Sequence, residues 1–257
     1  MPGSASEAVG GPDPLLVVAA AMVFVANPRV PVLTDSDTHH LLDVLRLRAG
    51  EVVVASDGAG SWVPCRMIAG PHGRGARTPD PASVLVADGP LTVQPKPDPA
   101  ITVAFAPTKG DRPEWVTQKL TELGVDRIVP IQAARSVVRW GGERGDRAVE
   151  RLRRVAREAS AQSRRPWLPD VTAVTRLDSL ASLVEVAPCL AQPGGGRPSL
   201  SRPAIAIGPE GGWDDDELAL FGAAVGLGPT VLRAETAAVV AGAIMCGLRS
   251  GVVGPLA

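Results

Sequence analysis

The 257-residue chain is 45% hydrophobic and carries a formal charge of −1, so it exceeds one typical domain, can fill a core, and gives no global basic signal for nucleic acid. With 3% aromatic residues, no tyrosine, 28 glycines and 25 prolines, its packing must lean on Ala, Val and Leu. Cys65, Cys189 and Cys246 stand far apart, odd in number and outside any Cys-x-x-Cys spacing, which argues against a disulfide framework and a zinc site and fits a reducing cytoplasm.

Residues 1–13 are small, polar and rich in Gly and Pro, a composition that predicts disorder. The apolar run from Leu15 to Ala26 is too short to span a bilayer and follows no basic segment of a signal peptide. Its end, Met22 to Val25, reads as the first strand. From Asp35 to Arg48, Leu41, Val44, Leu45 and Arg48 stand at helical spacing after Asp, Ser and Thr residues able to cap. Short β-like runs follow at Glu51 to Ala55, Trp62 to Ile68 and Ser83 to Val86, separated by Asp57-Gly-Ala-Gly60 and a Pro/Gly/Arg loop from Gly70 to Pro81. This describes a small, mostly β domain. His39 and His40 have no third metal ligand nearby and read as a capped helix start that touches RNA or serves structure.

Gln94-Pro-Lys-Pro-Asp-Pro99 marks a hinge and a domain boundary, because three prolines in so short a stretch resist both helix and ladder. Beyond it the expected elements alternate: strand Ile101–Ala106, helix Arg112–Leu123 stopped at Gly124, strand Val125–Gln132, helix Asp146–Ser163, and strands Val186–Ala191 and Ala204–Ile207. Alternation of this kind predicts an α/β domain with a largely parallel sheet. No Gly-x-Gly-x-x-Gly follows a strand and no P-loop is present. Gly194-Gly-Gly196 reads as a flexible connection. All three histidines, His39, His40 and His72, lie in the N-terminal part, so no Ser-His-Asp set is available.

Charge is local. Between Arg135 and Arg165 stand ten arginines (135, 139, 144, 147, 151, 153, 154, 157, 164 and 165) against acids at 143, 146, 150 and 158. A solvated helix with pairs such as Glu150–Arg154 is one reading. The absence of lysine favours phosphate recognition, because guanidinium forks hold phosphate bidentately and stack on bases. Arg135, Arg139, Arg153, Arg154, Arg157 and Arg165 are the candidates.

The most informative stretch is Ile205-Ala-Ile-Gly-Pro-Glu-Gly-Gly-Trp213. An apolar strand that breaks into Gly-Pro and Gly-Gly puts bare backbone at its C-terminal end, where open α/β sheets bind ligands. Asp214-Asp-Asp-Glu217 then opens a helix carrying Leu218, Leu220 and Phe221. Thr230-Val-Leu232 reads as another strand, with Arg233 and Glu235 leading into a helix of small residues from Thr236 to Ser250. That helix is apolar over nearly its whole length, and Ala238, Gly242, Cys246 and Arg249 form a stripe where another helix could approach closely.

Four blocks carry a resemblance: Ile207-Gly-Pro-Glu-Gly-Gly212, Leu232-Arg-Ala-Glu-Thr-Ala237, Glu114-Trp-Val-Thr-Gln-Lys-Leu-Thr-Glu-Leu-Gly-Val125 and His39-His-Leu-Leu-Asp-Val-Leu-Arg46. In content and order they resemble the SPOUT methyltransferases and, within them, the small-subunit ribosomal RNA methyltransferase E family, over roughly residues 22 to 250. The resemblance implies an α/β fold in which a trefoil-knotted SPOUT domain (98–257) follows a small PUA-like RNA-binding domain (22–93), with residues 1–21 a disordered extension. It implies S-adenosylmethionine as cofactor and, as substrate, N3 of a uridine in 16S ribosomal RNA or the small subunit. A homodimer paired through helices beside the knot, no metal, no membrane and a cytoplasmic location complete the expectation. The implied cofactor site takes in Leu190, Ile207, Gly208, Pro209, Glu210, Gly211, Gly212, Leu227, Gly228, Leu232, Arg233, Thr236 and Ala237. On the RNA side it adds His39, His40 and Arg46.

N3 of uridine is a poor nucleophile until its proton leaves, so the anion must be stabilised. Arg233 is the candidate for that charge, and Glu210 or Glu235 for the proton acceptor. Other SPOUT chemistry, on a ribose 2′-hydroxyl or another base, and a non-catalytic assembly factor are the alternatives. Trp213 stands where the family more often has Phe, and the N-terminal extension has no counterpart in it.

Overall fold

The computed structural model describes residues 11, 13–68, 70 and 79–254. The disorder expected for 1–10 and 12, and His72 with most of the expected 70–81 loop, lie outside the described residues. The chain divides into two units: one spans 13–96 together with Ser160–Leu168, the other Pro97–Ala159 together with 169–254. The 160–168 segment, expected in the C-terminal domain, is therefore part of the N-terminal unit.

The N-terminal unit begins with helix α1 (Pro14–Val18), where the sequence suggests an extension without structure. The Asp13 side chain accepts from Leu15 N–H at 2.8 Å and proline opens the first turn, while Leu16 is only 3% exposed. Strands β1 (Ala21–Phe24), β2 (Val52–Ser56), β3 (Ser61–Met67), β4 (Leu85–Ala87) and β5 (Thr92–Val93) form one sheet, with β1 parallel to β2 and the remaining pairs antiparallel. Helix α2 (Asp35–His39), capped by Thr34, passes into a π-helical turn at His40–Val44, and the chain turns off at Arg46 with φ 55°. The regular helix to Arg48 is thus cut short. Leu41 and Leu42 take the core positions, whereas Val44 and Leu45 are 58% and 39% exposed.

The 160–168 segment is laced to the β2–β3 turn. Ser56 Oγ donates to Pro166 C=O at 3.1 Å, Leu168 N–H to Gly58 C=O at 2.9 Å, and Trp167 Nε1–H to Gln94 C=O at 3.1 Å. Arg164 donates to the carbonyls of Ala19 and Ala20, each at 3.0 Å, so it is a structural arginine.

The other unit contains β6 (Thr102–Phe105), α3 (Arg112–Leu123), β7 (Arg127–Gln132), α4 (Gly142–Gln162, whose last three residues count with the N-terminal unit), β8 (Asp170–Val171), β9 (Thr175–Arg176), a 3-10 run at Leu177–Leu183, β10 (Cys189–Gly196), β11 (Ala204–Ile207), α5 (Asp215–Phe221), β12 (Ala224–Val225) and α6 (Ala234–Ser250). Its sheet has the order β12-β10-β11-β6-β7-β8, with β9 also on β7, and every pair is parallel. The strands β6 and β11 are buried on both faces, as parallel strands covered by helices must be.

Two expectations fail here. Thr230–Leu232 forms no strand; the strand at that edge is β12, six residues earlier. Gly194–Gly196 is no flexible connection but the end of β10, where a Cβ on Gly195 would stand 2.5 Å from the Val225 backbone, so only glycine allows the two strands to meet. The small-residue stripe of α6 also faces inward: Ala238 is fully buried and Cys246 is 8% exposed, against α3 and the sheet.

Candidate functional site

β11 stops at Ile207 and β12 at Val225, while β10 lies between them and pairs Leu190 with both Ala206 and Ala224. Three C-terminal ends thus share one edge of a parallel sheet, where ligands bind in open α/β folds. After β11 the chain turns through Gly208, Pro209, Glu210, Gly211 and Gly212, closed by a 2.9 Å bond from Gly212 N–H to Pro209 C=O with Gly212 at φ 70°. A Cβ on Gly208 would come within 2.9 Å of the Trp213 ring, so that ring fixes the loop's first residue as glycine. Trp213 itself is buried and donates Nε1–H to Ala191 C=O at 3.0 Å, which ties the loop to β10.

Charged groups brace the same loop. Asp214 and Glu217 form a reciprocal capping box at the start of α5, with Asp214 accepting from Glu217 N–H at 2.8 Å and Glu217 from Asp214 N–H at 3.0 Å. Glu217 also accepts from Ala134 N–H at 2.7 Å, and Arg135 donates to Gly211 C=O at 3.1 Å. The β7–α4 loop is thereby fastened to the glycine turn. Glu210 extends from that turn exposed and without an ion pair among the described residues.

The second loop runs from β12 to α6. Leu227 and Leu232 pack on the core, Gly228 and Thr236 are exposed, and Ala237 is buried. Arg233 is exposed at the N-cap of α6. Glu235, in the first turn of α6, is mostly buried; one carboxylate oxygen stands 3.4 Å from the Arg112 guanidinium, and the other is buried with no hydrogen-bond partner among the described residues. A buried carboxylate oxygen without a partner carries a desolvation cost that a donor N–H brought against it would recover.

Gly211 and Gly228 are exposed on the two loops, so backbone groups at this sheet edge are accessible to a ligand. Among the described residues no group of three or more His, Cys, Asp or Glu could hold a metal, and no helix is long and apolar enough to cross a membrane.

The candidate RNA residues scatter. His39 is exposed with a ring nitrogen 2.8 Å from Asp43, His40 is exposed, and Arg46 sits exposed at its positive-φ turn, all in the N-terminal unit. Several of the arginines are engaged structurally. Arg139 donates to Ala134 C=O at 3.3 Å, and Arg153 donates to Val171 C=O at 3.0 Å and pairs with Glu150, which the sequence assigns to Arg154. Arg157 and Arg165 are half-buried and have partners. Arg154 is exposed and unpaired among the described residues.

Another cationic surface uses arginines that stand in the counted run but not among the named candidates. A cavity of ≈ 400 Å³ is lined by Lys109 and Gly110 after β6, by Trp140 before α4, and by Arg144, Arg147 and Arg151 on α4. The spacing 144, 147, 151 puts three arginines on one helical face and was the signal that could have found it.

Comparison with known proteins matches residues 94–246 to a family described as RNA methyltransferase domain and residues 33–73 to one described as RNA methyltransferase PUA domain. A protein of Mycobacterium bovis named ribosomal RNA small subunit methyltransferase E is 36% identical over 237 residues, covering 82% of this chain and 84% of its own. The protein of the same name from Bacillus subtilis is 29% identical, over 80% of this chain and 85% of its own. A crystal structure of the enzyme so named from Neisseria gonorrhoeae, bound to S-adenosyl methionine, is 25% identical with a TM-score of 0.70 and covers 89% of this chain and 97% of that one.

Proposed function

Because the chain belongs to the ribosomal RNA small subunit methyltransferase E family, we propose that it methylates N3 of a uridine in 16S ribosomal RNA, in the cytoplasm. The two glycine loops receive the cofactor, S-adenosylmethionine, which when bound supplies a methyl group on a sulfonium. Backbone groups from Ile207 to Gly212 and at Leu227, Gly228 and Leu232 meet the adenosine, with Leu190, Thr236 and Ala237 completing the wall. The rigid bracing of these loops by Trp213, Arg135 and Glu217 keeps cofactor and acceptor in line, which is the main demand of a direct transfer.

The chain's own chemistry is to make the acceptor nitrogen nucleophilic. Glu235 takes the N3 proton on its unpartnered oxygen, which is buried in the free chain and must be uncovered as the base docks; Arg112 lies beside the other oxygen, and Arg233 faces the negative charge that develops on the base. Glu210, exposed and unanchored, is the weaker candidate. The observation that carries this reading is the half-satisfied Glu235 carboxylate in the first turn of α6, next to the glycine loops.

Two structural expectations belong with this proposal. The sheet order sets β10 between β11 and β12, so the chain crosses β10 between those two strands, a crossing compatible with a trefoil knot at the cofactor loops. A homodimer through α6 is supported by its outer face, where Ala243 is exposed and Val239, Val240 and Ile244 are only half-buried in the single chain. The test is transfer of labelled methyl from S-adenosylmethionine to 16S RNA or small subunits lacking the modification, followed by nuclease digestion and mass spectrometry. Labelled 3-methyluridine is expected; label on a ribose or another base would overturn the assignment.

A further inference from the structure

We infer that the cavity between the β6–α3 loop and the first half of α4 is a site for one unstacked nucleotide of the substrate RNA, its phosphate held by Lys109, Arg144 and Arg147 and its base stacked on Trp140. The inference rests on the methyltransferase reading for its substrate but not for its observations.

The wall carries Lys109, Arg144, Arg147 and Arg151, and no carboxylate contributes to it. Compensation is slight. Arg151 is paired with Glu114 at 3.1 Å, Arg147 meets Glu143 only at 3.9 Å between two highly exposed side chains, and Lys109 and Arg144 have no partner among the described residues. Like charges gathered on one concave surface repel unless an anion joins them, and guanidinium groups at this density suit a phosphate. The remaining lining is not what a merely solvated face would show. Trp140 packs on the core with one side while also lining the cavity, which leaves aromatic surface beside the cations. Aromatic surface next to arginine is how single-stranded bases are held, because every base offers a face to stack.

Size and place agree. A cavity of ≈ 400 Å³ lies at the small end of ligand pockets, room for one nucleotide and not for a duplex. Its loops leave the same sheet edge as the glycine turn: Thr108 and Lys109 follow β6, which pairs with β11, and Val138 and Trp140 belong to the β7–α4 loop that Arg135 and Ala134 fasten to Gly211 and Glu217. A nucleotide gripped here would have its neighbour in the chain close to the methyl donor.

The test separates charge from stacking. Binding of in vitro transcribed 16S RNA is measured against salt for the wild type, Arg144→Ala/Arg147→Ala, Trp140→Leu and Trp140→Phe, with S-adenosylmethionine affinity followed in parallel by calorimetry. The arginine pair should weaken binding at least tenfold and flatten the salt slope by about 0.7, the counterion release of one phosphate contact on a single strand. Trp140→Leu, which keeps an apolar contact with the core, should weaken binding about five- to fiftyfold with an unchanged salt slope, and Trp140→Phe should recover most of it. Cofactor affinity should not move. Uridine 5′-monophosphate, but not inorganic phosphate alone, should show a Trp140-dependent affinity. If RNA binds and is methylated by the wild type but Trp140→Leu binds it equally well, the nucleotide site is refuted while the methyltransferase reading stands. If the wild type binds neither RNA nor cofactor, that reading falls and takes this one with it.

Discussion

The guanidinium of Arg112 lies 3.4 Å from the Glu235 carboxylate and joins the first turn of α3 to the first turn of α6. That contact favours one orientation of Glu235, and its second oxygen stays buried without a partner among the described residues. If that oxygen accepts the N3 proton, Glu235→Gln should lower kcat by about 10²- to 10⁴-fold, the range for loss of a general base. Arg112→Ala, which frees the carboxylate to turn, should give a smaller loss. S-adenosylmethionine affinity by calorimetry should stay within a few-fold in both. A Glu235→Gln enzyme with wild-type kcat would shift the role to Glu210.

Trp213 offers a test of how the glycine turn is held. Phenylalanine lacks the indole atoms Cε2 and Cζ2 that pack over Gly208 and cannot donate to Ala191 C=O, so a small void is left and that carbonyl loses its partner. Trp213→Phe should destabilise the fold by about 1–3 kcal/mol, a hydrogen bond together with lost packing, with the denaturant slope unchanged. Cofactor affinity should fall only modestly. A large loss of affinity with unaltered stability would mean the indole touches the ligand itself.

Regular elements were legible in the sequence where local signals agree. α3 runs over the expected Arg112–Leu123 because its stop, Gly124, takes the left-handed conformation at φ 95°. The capped start of α5 and the apolar run of β11 could be read for the same reason. What could not be read depends on partners distant in the chain. Arg164–Leu168 has no periodicity, yet Pro166, Trp167 and Leu168 bond to residues 56–60 and 94. β12 is two residues long and exists because β10 lies beside it, so Thr230–Leu232 looked more strand-like than the strand itself. At the site, the glycine loops could be read as short motifs. The roles of individual arginines could not, because Arg153 and Arg135 are consumed by backbone carbonyls that only the fold brings near.

Arg249 makes a further case of an arginine with a structural use. It pairs with Asp126 and donates to the carbonyls of Pro99 at 3.1 Å and Gly124 at 2.8 Å, while Asp126 also accepts from Ile101 N–H at 2.9 Å. Both side chains are largely buried, 14% and 8% exposed. Arg249→Ala would leave the Asp126 charge uncompensated and should cost about 3–5 kcal/mol, measured by chemical denaturation. The replacement Asp126→Asn/Arg249→Met should recover a large part of it. An effect below about 1 kcal/mol, the usual worth of an exposed pair, would mean solvent reaches the site.

Cys65, fully buried on β3, gives the N-terminal unit a pH signature. Burial pushes its thiol from 9.0 up to about 11, with the Asp88 charge adding to the rise. The folded form thus keeps its proton where the unfolded chain has lost it. This contribution is fully present below pH 9 and declines as pH rises towards 11, by about 2–3 kcal/mol at most from the linkage relation. Denaturation midpoints from pH 8 to 11 should fall more steeply for the wild type than for Cys65→Ala, which starts lower but lacks the thiol. Parallel curves would place the ionisation elsewhere. Thiol reagents should also modify the folded protein at Cys65 only as fast as it opens.

A homodimer built on α6 would have to use a face of that helix that its own chain leaves uncovered. The stripe of Ala238, Gly242, Cys246 and Arg249 is filled from within the chain: a Cβ on Gly242 would stand 2.7 Å from Leu120 Cδ2 and 3.2 Å from Val125 Cγ2. Gly242→Leu should therefore overpack the α3–α6 contact, at about 1–3 kcal/mol or more, whatever the oligomeric state. It cannot serve as a dimer test. The opposite face can, since Ala243 is exposed there with Val239, Val240 and Ile244 half-buried around it. Ala243→Arg keeps helix propensity nearly constant but sets a charge at the centre of that apolar face. If the homodimer uses it, light scattering should show the mass fall to that of a single 26.5 kDa chain with the thermal midpoint of the monomer fold preserved, and methylation should fall with it. A dimer that survives Ala243→Arg would move the interface off this face, and a wild type already at 26.5 kDa that methylates RNA would refute the homodimer.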